Sequence, residues 1–182
     1  MSAQDPARVA AELLVAQRPA IARAAGDEID HCILFTRIAV DVCRKRGIGA
    51  KALSVSVAIT ADADPEVVIL LGIEGQKPHD APDDFWDGHL VAILDRRLLL
   101  DLSIDSIAQP EFGVEPEPFV AGVSPDFASG GMVDLPVRGG RAQYRAQPER
   151  KDYRDLPAWE RGTEEAIARL ADALLWPSDR GL

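Results

Sequence analysis

The stretch from Asp27 to Gly47 constrains the chain most, because it reads as a nearly all-apolar helix with one thin wet edge. Beyond Cys32 its charged residues are Arg37, Asp41, Arg44 and Lys45, at i, i+4, i+7 and i+8. At about 100° per residue these fall in a single narrow stripe. The other positions, among them Cys32, Ile33, Leu34, Phe35, Ile38, Val40, Val42 and Cys43, are apolar or small. A helix patterned in this way is packed on most sides. Asp27, Glu28 and Asp30 supply an acidic start and Gly47 a stop, which predicts a helix from Asp27 or Asp30 to Arg46. Cys32 lies about 170° from the centre of the wet stripe and is expected to point into the protein.

A helix over Pro6–Ala25 precedes it, with Asp5 as N-cap, Pro6 at the first helical position, and Pro19 expected to kink or split it. Strands follow. Leu53, Val55, Val57 and Ile59 alternate with small or polar residues, the period of a half-buried strand. Val67–Ile73 is a continuous apolar run and reads as a central strand. His89–Leu94 and Arg97–Ser103 form a hairpin around Asp95-Arg96, and Met132–Val137 with Arg141–Ala146 a second around Gly139-Gly140. Glu74–Gly88 and the proline-rich, acidic Gln109–Pro125 read as loops. Thr163–Trp176 reads as a last helix with Ile167, Leu170, Ala171, Leu174 and Leu175 as its apolar stripe. The order helix, helix, strands argues for an α+β fold rather than βαβ repeats.

With 182 residues the chain suits one domain with a real core, taken here as 1–182. A net charge of −10, with no cationic run beyond Arg44-Lys45-Arg46, excludes a nucleic-acid partner. No basic-then-apolar leader opens the chain and no window of about 18 apolar residues occurs, so the expectation is a cytoplasmic protein without a membrane partner. Cys32 and Cys43, eleven residues apart on one helix, would sit about 16 Å apart. That is too far for a disulfide.

Three residues draw attention as chemistry. Cys32 sits in the opening turns of its helix, where free N–H groups favour a thiolate. Taken alone it reads more readily as a small apolar residue filling the core. His89 opens a strand after Trp86-Asp87-Gly88, and Asp101 interrupts Leu98-Leu99-Leu100-Asp101-Leu102. A carboxylate in so apolar a strand needs a partner, and His89 is the candidate. A hairpin with an odd loop centred on Asp95 sets residues 89 and 101 opposite each other; an even loop sets 89 against 102. Thiol nucleophile, imidazole base and orienting carboxylate make one coherent site. Trp86 is either a cover for the cleft beside His89 or a packing aromatic. Cys32, His31, His79 and His89 lack metal-ligand spacing, so neither a metal nor a cofactor is expected. Cys43 reads as core, His79 as solvated, and Gly139-Gly140 as a turn rather than a phosphate loop.

The run from Cys32 through Arg37, Asp41 and Cys43 to Gly47-Ile48-Gly49-Ala50-Lys51 resembles the core of transglutaminase-like proteins, a superfamily of papain-like fold. There a cysteine starts a helix that ends in a Gly-Ile-Pro-Ala-Arg-like turn about fifteen residues later; here Gly49 stands in the proline position. Gly88-His89-Leu90-Val91 and Leu100-Asp101-Leu102-Ser103 are similar to the family's histidine and aspartate strands, with Ser103 near a family threonine. The resemblance spans residues 27–106 and leaves 107–182 as an extension. It implies a buried cysteine helix on an antiparallel β-sheet, with extra N- and C-terminal helices. It also implies a Cys32–His89–Asp101 triad acting through a thioester on a peptide, amide or small acyl substrate. A catalytically inactive binding module of the same fold is the alternative, and a thiol redox sensor a third. Oligomeric state is left open.

Overall fold

The computed structural model describes residues 5–25, 31–75 and 86–161. Helix α1 (Pro6–Ala25) begins where the Asp5 carboxylate accepts the Ala7 N–H at 3.1 Å, and it runs unbroken through Pro19. Helix α2 (His31–Lys45) carries Cys32 in its first turn. Strand β1 (Ala50–Ala61) follows the turn at Gly47 and is the spine of a seven-stranded antiparallel sheet. The others are β2 (Val68–Leu71), β3 (His89–Leu94), β4 (Leu98–Asp101), β5 (Phe119–Gly122), β6 (Met132–Val137) and β7 (Gly140–Ala146). Their order is β5-β4-β3-β1-β7-β6, with β2 paired to β1 alone. A short helix, α3 (Pro157–Arg161), is the last element among the described residues. The sequence is α+β as expected, with helices at both ends of an antiparallel sheet. The helix expected at Thr163–Trp176, the acidic start Asp27–Asp30, and His79 lie outside the described residues.

One face of the sheet takes the helices. Leu34, Ile38, Val42 and Cys43 of α2 and Ala7, Ala10, Leu14 and Ile21 of α1 pack with Ala92, Leu94, Leu98 and Leu100. The opposite face, with Val55, Val57, Ile59, Val91, Ile93, Leu99 and Tyr144, is closed by Ile104, Ile107, Val114, Phe127 and Ala128. Within α2, the buried Thr36 hydroxyl donates to the Leu90 carbonyl at 2.9 Å and pins the helix to the start of β3.

Three expectations change. Val67–Ile73 is not a central strand: β2 is only four residues long, and Val68 and Leu70 are 51% and 45% exposed. Its edge position follows from β1, whose neighbouring edge is shared; β3 covers Ala50–Val55 and β2 covers Val57–Thr60. Gln109–Pro125 is not all loop, since Phe119–Gly122 pairs with β4 as an outer strand and caps its hydrogen bonds. The β3–β4 hairpin pivots on Arg96 rather than Asp95, with Ala92 opposite Leu100 and Leu94 opposite Leu98. Asp95 and Arg96 both take positive φ, 46° and 61°, which makes this three-residue turn possible. The second hairpin, β6–β7, forms as expected but turns at Arg138-Gly139, one residue earlier than Gly139-Gly140, with Gly140 already paired to Val137; Pro136 is tolerated because β6 is an edge.

β2 ends at Gly72, which has φ +73° and lies in the gap between β2 and β3. A methyl group there would overlap the Val55 carbonyl and crowd the His89 Cβ at 3.0 Å. Gly72→Ala is therefore expected to cost about 1–3 kcal/mol in urea denaturation. An unchanged midpoint would show that the β2–β3 gap has slack.

Candidate functional site

The gap beside Gly72 is where β3 starts, and β3 starts with His89. Antiparallel pairing puts His89 opposite Val55, and Val55 opposite Ala146. His89 therefore shares a sheet face with Val55, Val91 and, two positions along β7, Tyr144. Because the hairpin pivots on Arg96, Asp101 lies opposite the level of Val91 and diagonal to His89, not directly across from it. The parity is nevertheless the same, so both side chains point to one face. His89 Nε2 and Asp101 Oδ2 are 2.7 Å apart, with the two residues 1% and 0% exposed.

Asp101 is fully committed. Oδ2 also accepts the Tyr144 hydroxyl at 2.9 Å, and Oδ1 accepts the Ser103 N–H at 3.0 Å. Burial pushes a carboxyl up, but the His89 charge and hydrogen bond, the Ser103 N–H and the Tyr144 hydroxyl hold Asp101 below its ordinary 3.8. Burial equally works against the protonated imidazole of His89. The Asp101 charge and hydrogen bond, then the hydrogen bond and charge of Cys32, raise it from 6.5 to about 10. Burial first, and the Asp101 charge second, push the Tyr144 phenol well above its ordinary 10, so it remains a donor. The Ser103 hydroxyl is buried at the same place with no hydrogen-bond partner among the described residues.

Cys32 completes the cluster from the helix side. Its thiol is close enough to the His89 ring to help raise the imidazole. The body of α2 is buried as the sequence pattern requires, but Cys32 itself is only partly covered. The inward direction is right, and the residual exposure arises because the helix has just begun. It packs against the buried apolar cluster of Ile33, Trp86, Leu90, Tyr153 and Ala158.

Trp86 is a buried packing aromatic in the cluster that Cys32 contacts. Its indole N–H donates to Asp152 at 3.0 Å, and its ring meets Tyr153 edge-on with centroids 5.9 Å apart. Arg150 covers it at 5.0 Å and is ion-paired with Asp87, which also accepts the Gly75 N–H at 2.6 Å. Cys43, by contrast, is sealed in the core, and burial followed by the Asp95 charge raises its thiol to about 12. No group of three His, Cys, Asp or Glu suited to a metal occurs among the described residues, nor does any helix long and apolar enough to cross a membrane.

The structure thus gathers Cys32, His89 and Asp101, and adds Tyr144 and Thr36, which the sequence reading passed over. Tyr144 had a signal. The inward positions of β7 are Gly140, Ala142, Tyr144 and Ala146, and a buried tyrosine among small residues needs a hydrogen-bond partner. Comparison of the chain with family models, with curated proteins and with solved structures finds no match.

Removing the Tyr144 hydroxyl takes one donor from Asp101 and lets its carboxyl titrate at higher pH. A depressed carboxylate contributes stability above its ordinary 3.8 and loses that contribution as pH falls through its native value. Tyr144→Phe should therefore lose about 1–2 kcal/mol near neutral pH and begin acid unfolding at a higher pH. An acid-unfolding curve that superimposes on the parent's would show that the hydroxyl does not stabilise the carboxylate.

Proposed function

We propose that the chain is a thiol-dependent hydrolase or acyltransferase acting on a peptide-type or other amide substrate through a thioester on Cys32. The observation that carries this reading is a buried imidazole bonded to a buried carboxylate and clustered with a partly accessible thiol on a helix start. The motif resemblance to transglutaminase-like proteins over residues 27–106 supports it independently.

In this reading Cys32 Sγ gives its proton to His89, and the imidazolium–thiolate pair is held by Asp101. Sulfur attacks the substrate carbonyl, and the Cys32 backbone N–H, in the first turn of the helix, donates to the oxyanion. The C–N bond breaks as His89 returns the proton to the leaving amine, leaving the acyl group on sulfur. Water or a second amine then attacks the thioester with His89 again as base; hydrolysis is the simpler outcome. The apolar cluster against which Cys32 packs, with the partly buried Leu156 and Trp159 also at its margin, gives the site an apolar setting for a substrate side chain. Free thiols suit a reducing, cytoplasmic setting.

Thiol reactivity tests this without knowledge of the substrate. Iodoacetamide should label Cys32 of the folded protein at neutral pH at least tenfold faster than in His89→Ala, while Cys43 reacts only on unfolding. With an activated acyl ester, one acyl group should accumulate on Cys32 and none in Cys32→Ala. A slow, histidine-independent Cys32 reaction in a folded chain would leave the fold as an inactive binding module.

A further inference from the structure

Although the chain carries 30 acidic and 20 basic residues, one cleft of about 330 Å³ is lined by Arg37, Arg44, Lys51 and Arg154 and, among the described residues, by no carboxylate. Its aromatic floor is Tyr153 and Trp159, in edge contact at 5.0 Å. The four cations come from three parts of the chain: α2, β1 and the turn at Asp152–Asp155. We infer that this cleft is a binding site for a small oxyanion-bearing ligand, one that presents a phosphate or a carboxylate group.

Two of the cations are fixed in place from beneath. Arg37 lies over the Trp159 ring at 4.5 Å and its Nε donates to Asp41 at 2.8 Å. Arg44 gives its Nε–H to the Ala50 carbonyl at 2.8 Å, which leaves the ends of its guanidinium fork to other partners. Arg154 lies 5.8 Å above the Tyr153 ring, and neither it nor the exposed Lys51 makes an ion pair among the described residues. Like charges converging on one cleft repel, and among the described residues only the Arg37 charge of the four is ion-paired. An oxyanion relieves that repulsion, and guanidinium forks match its geometry. The volume is at the small end for ligand sites, which suits a small molecule rather than a polymer. The site is distinct from Cys32, although Tyr153, Trp159 and Ala52 also pack in the apolar cluster around the thiol. It does not depend on the thiol chemistry proposed above.

The test uses the full chain, with pyrophosphate and tricarballylate as phosphate and carboxylate probes, each against sodium chloride at matched ionic strength. Calorimetry and thermal unfolding should show saturable binding of at least one probe, at least tenfold weaker in Lys51→Glu and in Arg154→Glu and retained in Cys32→Ala. The probe that binds identifies the oxyanion class. Both substitutions are at exposed positions, and circular dichroism confirms folding; Lys51→Gln and Arg154→Gln replace any variant that does not fold. A response that sodium chloride reproduces, or binding indifferent to both charge changes, overturns the inference.

Discussion

A carboxylate sealed from water beneath a seven-stranded sheet is the constraint on which the rest of this structure depends. Asp101 would be costly to bury alone, and the chain surrounds it with the His89 ring, the Tyr144 hydroxyl and the Ser103 N–H. These donors come from β3, β7 and the residue pair just beyond β4, so the carboxylate joins strands distant in sequence. Taking away one partner of such a pair costs about 3–5 kcal/mol, because the remaining charge is stranded. The pair is thus a folding commitment as well as part of the proposed thiol site.

The backbone determines where that pair can meet a thiol. β1 is long enough to carry β7 along one edge and both β3 and β2 along the other. β3 begins where β2 ends, and Gly72, which has no side chain, lies close against its buried first residue, His89. α2 is laid across the helix-bearing face by its apolar sides and clamped by Thr36 to Leu90. Its first turn, with Cys32, then comes to the same strand start from the other face. Partial exposure of Cys32 beside a buried imidazole is the combination nucleophilic chemistry needs: access for a substrate and a partner shielded from solvent.

How far the sequence discloses this varies by residue. The burial of α2 was legible because four charges at helical spacing leave no other wet side. The His89–Asp101 pairing was legible because an acid amid leucines demands a partner, and it survives a changed hairpin centre because the pivot at Arg96 preserves side-chain parity. What parity cannot fix is whether the contact is direct or diagonal, since that depends on turn dihedrals. The apolar run at Val67–Ile73 misled because hydrophobicity alone does not tell which edge of β1 is free. β5 was hidden by prolines and acids that flank, but do not interrupt, Phe119–Gly122. Tyr144 stood out among the small inward residues of β7, but its partner and the cationic cleft were out of reach, since both arise from segments brought together only by the fold.

The most direct measurement of the central claim is a pH titration of the histidine side-chain nitrogens by NMR, in a chain with only three histidines. Held between Asp101 and Cys32, His89 should stay protonated well beyond its ordinary 6.5, toward about 10, and lose that elevation in Asp101→Asn. Three histidines all titrating near their ordinary value, or a His89 indifferent to Asp101→Asn in a folded chain, would contradict the account.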